Sequence, residues 1–191
     1  SLTGTLFQRW GIALMLAERP KKAMENFQRA GEWFLNANNP AQYAINTNHF
    51  TSTLIKLGRN NRQLAYYDQA VTALQAALSF MQKGSLVDFI WRLEFNMALA
   101  LSEPLKYGLV IKSTDTTQRK QEAEQYFTKT LDTFSLILQK NSLRDTSKKL
   151  LAYGLLNKEI RQLTFSGFYF FYFNQQWSKC IYWLEKIRTK S

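Results

Sequence analysis

The sequence predicts an all-α fold, with antiparallel helix pairs stacked as a short solenoid. Three observations predict it. Only 8 Gly and 3 Pro punctuate 191 residues, too few for many short strands and tight turns. Apolar residues recur at spacings of three and four along the chain, the period of a helix with one buried face. Hydrophobic residues make up 46% of the chain and aromatics 15%, ample for a packed core and contrary to global disorder.

In the first element Phe7, Trp10, Leu14 and Ala17 fall on one helix face. That helix ends at Arg19-Pro20. Proline suits the first turn of a second helix, because its missing N–H would go unpaired there anyway. Ala23, Phe27, Ala30 and Phe34 form the apolar stripe of the second helix, and Asn36 to Pro40 reads as a loop. A third helix spans 41–57, with Gly58 as its stop and Arg59-Asn60-Asn61 as the turn. A fourth, 62–83, carries Leu74, Ala77, Leu78 and Met81 on one side and stops at Gly84-Ser85. A fifth, 86–102, holds Phe89, Leu93, Met97 and Ala100 on one stripe and ends at Glu103-Pro104. Residues 105–117 read as a loop. Asp115 or Thr116 is the expected cap of a sixth helix over 117–139, broken at Asn141-Ser142. A helical stretch over 143–173, interrupted near Tyr153-Gly154, and a last helix over 177–189 complete the chain. The helix pairs are thus 5–36, 41–83, 86–140 and 143–190, within a single domain 1–191.

A small residue, a large apolar one four later and a small one three after that recur down the chain. The sets are Ala23, Phe27 and Ala30; Ala70, Leu74 and Ala77; Ala123, Phe127 and Thr130; and, more loosely, Cys180, Leu184 and Ile187. Gly11, behind Trp10, stands twelve residues before Ala23, with Leu14 three residues on. This pattern resembles the tetratricopeptide-repeat family, in which the small residues let paired helices approach closely. The sets here lie 47, 53 and 57 residues apart, against a family period of about 34, so the repeats the resemblance implies are divergent. The resemblance further implies a concave face, lined by the first helix of each pair, that holds a peptide or helix of another protein.

No catalytic constellation is visible. His49 is the only histidine and has no Glu or second His at metal-binding spacing, so it reads as a packing or surface residue. Cys180 is the only cysteine, lies in an apolar stripe and reads as a small core residue. Glycine-rich phosphate loops and Gly-x-Ser-x-Gly turns are absent from the sequence, and Glu122 and Glu124 fall on different helix faces. The expectation is a protein that is not an enzyme and that uses no cofactor or metal.

Candidate binding residues fall in three groups. Asn48, Ser52 and Lys56 are four apart and form a polar stripe on the third helix. Amide and ammonium groups in such a stripe suit a peptide backbone or a terminal carboxylate. Asp88, Arg92 and Asn96 form a similar stripe on the fifth; the competing reading of both is a solvated face with an internal Asp88–Arg92 ion pair. The third group is Phe165, Tyr169, Tyr172 and Phe173, three of them within the six-aromatic run 168–173. Six consecutive aromatics cannot share one helix side. Phe168 and Phe171 read as core, and Tyr169 and Tyr172, with hydroxyls that need partners, as interface. A strand is rejected because the flanks are helical and no second strand offers itself.

The charge is +11 and uneven: residues 1–139 hold 15 basic and 11 acidic side chains, residues 140–191 hold 10 and 3. The expected function is a protein-interaction scaffold that binds a peptide or helix, an acidic one by charge. The alternative is a basic helical module for nucleic acid or an anionic membrane surface, led by Lys148, Lys149, Lys158, Arg161, Lys179, Lys186 and Arg188. A third expectation is a homodimer through the C-terminal aromatic region. The longest apolar runs, Trp10 to Ala17 and Gly167 to Phe173, are too short to span a bilayer. One cysteine and no visible signal peptide suit the cytoplasm, unless a leader has been removed.

Overall fold

In the computed structural model of the chain, residues 2–81, 87–110, 112–141, 162, 165–167 and 169–188 are described. They form α1 (Leu2–Leu16), α2 (Pro20–Asn36), α3 (Pro40–Asn61), α4 (Leu64–Met81), α5 (Val87–Lys106), α6 (Ser113–Asn141) and α7 (Trp177–Arg188), with further helix at 165–167 and 169–173. No strand occurs among the described residues, and the fold is all-α as the apolar spacing predicts. The chain divides into two compact units, Ser1–Leu131 and Asp132–Ser191.

In the first unit each helix from α1 to α5 packs on the next, and α3 also packs on α5. Side-chain pairs give the directions. Gly4 lies against Phe34 and Gly11 against Phe27, so α1 and α2 are antiparallel. Gly58 lies against Tyr67, and the Tyr43 and Phe80 rings meet edge-on at 5.6 Å, so α3 and α4 are antiparallel too. Asn48 meets Asn96 and Arg59 meets Glu103, so α3 and α5 run parallel.

The small–large–small sets build the core. Ala23, Phe27, Ala30, Ala70, Leu74, Ala77, Ala123, Phe127 and Thr130 are all at most 1% exposed. Burying a large apolar side chain contributes about 1.5–3 kcal/mol, so the phenylalanines and leucines of these sets are principal sources of stability. The alanines let the neighbouring backbones come close enough to cover them. In α1 the expected stripe is wrong. Trp10 is 64% exposed, and the residues facing α2 are Gly4, Gln8 and Gly11. A Cβ on Gly11 would stand 2.6 Å from the Phe27 ring, so only glycine leaves room for that ring.

Four predicted boundaries are corrected. Gly58 does not end α3; it is buried inside a helix that continues to Asn61, because its missing side chain admits the Tyr67 ring. Arg59, Asn60 and Asn61 are helical, and Arg62 at φ 53° makes the turn. Pro104 does not end α5, because its fixed φ is that of a helix and the residues after it keep their own N–H groups; Leu105 and Lys106 are still helical, and Gly108 at φ 65° closes the turn. Among the described residues between α5 and α6, only 107–110 and 112 are outside helix. Asp115 and Thr116 are therefore not caps but residues of the first helical turn, where a carboxylate suits the helix dipole. Of the expected boundary signals, Gly84-Ser85, Ser142 and Tyr153-Gly154 lie outside the described residues.

In the second unit the aromatic run is helical where described. Phe170 and Phe171 are buried, while Phe165, Tyr169, Tyr172 and Phe173 are exposed. Phe171 is thus core and the two tyrosines are accessible, as their chemistry suggests; Phe168 lies outside the described residues. Cys180 is buried on α7, where desolvation pushes its thiol pKa up and away from reactive thiolate.

Candidate functional site

The parallel run of α3 and α5 lays their two polar stripes side by side. Asn96 is only 6% exposed, and its amide Nδ2 reaches across to α3. There it donates toward the Asn48 Oδ1 at 3.0 Å, the Thr51 Oγ1 and Ser52 Oγ at 3.1 Å each, and the Asn48 carbonyl at 3.3 Å. One NH₂ group has two hydrogens, so these four oxygens share them. Thr51 in turn donates to the Thr47 carbonyl at 2.8 Å, which points its oxygen lone pairs at Asn96. A buried amide without partners would cost about 1–3 kcal/mol, which this arrangement avoids while fixing the α3–α5 register.

Three of the sequence-chosen residues therefore meet: Asn48, Ser52 and Asn96. Two more flank them. Arg92, one turn before Asn96, lies over the Trp91 and Phe89 rings at 4.8 and 5.6 Å. Lys56 stands one turn beyond Ser52 on α3, half-buried. Because the helices are parallel, the two cations sit toward opposite ends of the amide–hydroxyl cluster. The Asp88 side chain lies outside the described residues. Tyr169 and Tyr172 belong to the second unit, where the Phe173 ring lies tilted by 37° against the first at 5.0 Å and edge-on to the second at 5.7 Å.

His49 packs between these features. Its ring stacks on Phe27 at 5.8 Å and 14°, and its pKa is pushed below the ordinary 6.5, first by burial and then by the Arg92 charge. The side chain is a neutral, apolar-packed imidazole, in line with a packing role. Among the described residues no cluster of three or more His, Cys, Asp or Glu could hold a metal ion. No described helix is long and apolar enough to cross a membrane.

Two arrangements were missed by the sequence reading. Glu103 on α5 accepts from Arg59 on α3, at 3.2 Å from its Nε, and from the Tyr67 hydroxyl on α4 at 3.1 Å. These residues are 36 and 44 apart in the chain, beyond any local pattern. Burial, with the Glu103 charge and hydrogen bond, pushes the Tyr67 pKa up strongly. The second is a cleft of about 420 Å³ lined by Arg19, Pro20, Lys21, Lys22, Leu57, Asn60 and Asn61. The run Arg19-Pro20-Lys21-Lys22 is its one visible trace in the sequence.

Comparison with known proteins finds no matching family model, no matching curated protein and no matching solved structure.

Proposed function

We propose that this chain is a non-catalytic interaction scaffold whose α3–α5 face binds an acidic peptide segment or helix of another protein. The carrying observation is the meeting of Asn48, Ser52 and Asn96 at one seam between Arg92 and Lys56. Asn96 is engaged within the protein, where it fixes the seam; Asn48 and the exposed Ser52 beside it suit a peptide backbone, and two cations at the ends suit carboxylates. The tetratricopeptide resemblance supports the same reading. Successive antiparallel helices with a parallel next-but-one neighbour are what stacked helical hairpins require. Gly58 stands twelve residues before Ala70, as Gly11 does before Ala23. A reducing compartment such as the cytoplasm suits a chain whose one cysteine is buried.

The test is fluorescence anisotropy against an array of acidic peptides, each with a free or amidated C-terminus. Micromolar binding is expected. It should weaken at least about tenfold in the Lys56→Glu/Arg92→Glu double variant, with helicity unchanged by circular dichroism. Failure of every acidic peptide, or binding indifferent to the double variant, overturns the proposal. Strongly salt-dependent nucleic-acid binding without peptide binding would overturn it in favour of the basic-module alternative.

A further inference from the structure

The cleft of about 420 Å³ lies between the start of α2 and the end of α3, and its size suits a small molecule. Both walls are interior helices, with α1 before them and α4 after them. One wall is basic: Arg19, Lys21 and Lys22 line it from the turn after α1 and the first turn of α2. The other carries Asn60 and Asn61, the last residues of α3. Buried Leu57 and the Pro20 ring supply an apolar lining.

The charge of this cleft is unanswered. No described acidic residue lines it. Its three cations and two amide side chains make no hydrogen bond or ion pair among the described residues. Cations close by are already engaged: Arg59 binds Glu103, and Arg62 lies over the Tyr107 ring. The start of α2 adds backbone donors. No side chain caps it, whereas Asn39 caps α3 by accepting from the Gln42 N–H at 3.1 Å. The first-turn N–H groups of Lys21 and Lys22 are thus left to an anion. The cleft is also separate from the α5 seam. Asn48 and Leu57 stand about two and a half helical turns apart, so they face opposite sides of α3.

We infer that this cleft binds a phosphorylated polyol, free in solution or as the headgroup of a lipid. Phosphate oxygens suit the basic wall, where Arg19 can make paired hydrogen bonds and the two lysines act as point charges. Ring hydroxyls suit Asn60 and Asn61, whose amides both donate and accept. The carbon side of a polyol ring suits Leu57 and Pro20. A bare anion would use only the basic wall and leave the amides and the apolar lining idle.

Calorimetric titration of the full chain with inositol trisphosphate should show micromolar binding, and inorganic pyrophosphate should bind at least about tenfold more weakly. Lys21→Glu/Lys22→Glu should weaken trisphosphate binding by about tenfold or more. Carboxylates at a helix N-terminus favour the helix, so circular dichroism should show the fold kept. Lys56→Glu/Arg92→Glu makes the same change in total charge at the α3–α5 face and should leave trisphosphate binding intact. Co-sedimentation tells the two sources apart. Capture by phosphatidylcholine vesicles only when they carry phosphatidylinositol bisphosphate assigns a lipid headgroup; binding of the free trisphosphate without capture assigns a soluble ligand. Failure of both the free compound and the vesicles overturns the inference. So does an equal loss in the two double variants, which would reveal attraction by net charge alone, or pyrophosphate binding as tight as trisphosphate binding. Acidic-peptide binding should survive Lys21→Glu/Lys22→Glu, so this inference and the peptide reading stand or fall separately.

Discussion

A missing methyl group decides how closely α3 and α4 approach. A Cβ on Gly58 would lie 2.6 Å from the Tyr67 ring, which is 0% exposed and held at its hydroxyl by Glu103. The ring has nowhere to retreat, so Gly58→Ala should lose about 1–3 kcal/mol in urea denaturation. Gly31→Ala is the contrast. Its Cβ would meet Asn46 and Tyr43 at 3.4 and 3.6 Å, ordinary contact, so better helix propensity should leave stability unchanged or up to about 1 kcal/mol higher. Equal losses at both sites would refute the ring-packing account. His49 gives a pH signature. Its folded pKa is lowered, by burial first, so the unfolded chain binds the proton more readily. The stability tied to neutral His49 is therefore complete above pH 6.5 and is lost as pH falls through the lowered folded value. Thermal unfolding of wild type should weaken between about pH 7.5 and about pH 5.5 more than that of His49→Phe, which keeps an aromatic ring against Phe27. Parallel curves would show that His49 titrates no differently in the folded chain.

Helix ends share one device. The turns after α1, α2, α3 and α5, and after residue 173, each place a left-handed residue: Glu18, Asn38, Arg62, Gly108 and Gln175. In each, the next backbone N–H bonds back five residues, as from Arg19 to Leu14 at 2.8 Å and from Gln63 to Gly58 at 3.2 Å. Only Gly108 is a glycine. A non-glycine residue in this conformation costs about 1 kcal/mol, so Glu18→Gly should raise stability by about 0.5–1 kcal/mol, measurable as a higher Tm. A lower Tm would show that the Glu18 side chain contributes something the turn geometry does not. Arg62→Gly should gain less, because Arg62 also lies 3.9 Å over the Tyr107 ring. This device explains why helix existence was legible and helix ends were not. Gly58 looked like a stop because glycine usually supplies the left-handed residue, whereas here Arg62 does.

At the scale of the molecule, the all-α class and the buried stripes of α2 and α4 followed from spacing alone. In α2 polar positions are clearly separated from apolar ones, so period and burial coincide; in α4, which is more apolar overall, the small–large–small spacing of Ala70, Leu74 and Ala77 marks the buried side. In α1 they do not, since that helix is apolar nearly all round and periodicity has no polar face to exclude. What α1 turns toward α2 is decided by space for the Phe27 and Phe34 rings, a property of the pair rather than of either segment. The candidate site was legible one helix at a time. Asn48 with Ser52, and Arg92 with Asn96, could be grouped by turn. That Asn96 would reach α3 depends on contacts 44 to 48 residues apart, to which local pattern is blind.

The two ties between α3 and α5 have a mechanical consequence. Ser52 meets Asn96, and seven residues later on each helix Arg59 meets Glu103. Two parallel rods are thus bolted at two points about 10 Å apart, at matching intervals. One bolt would leave a pivot; two forbid both scissoring and sliding, since a slip of one turn would break both at once. The gap between Lys56 and Arg92 is therefore a fixed gauge, and whatever lies along this face is measured against a spacing set before it arrives.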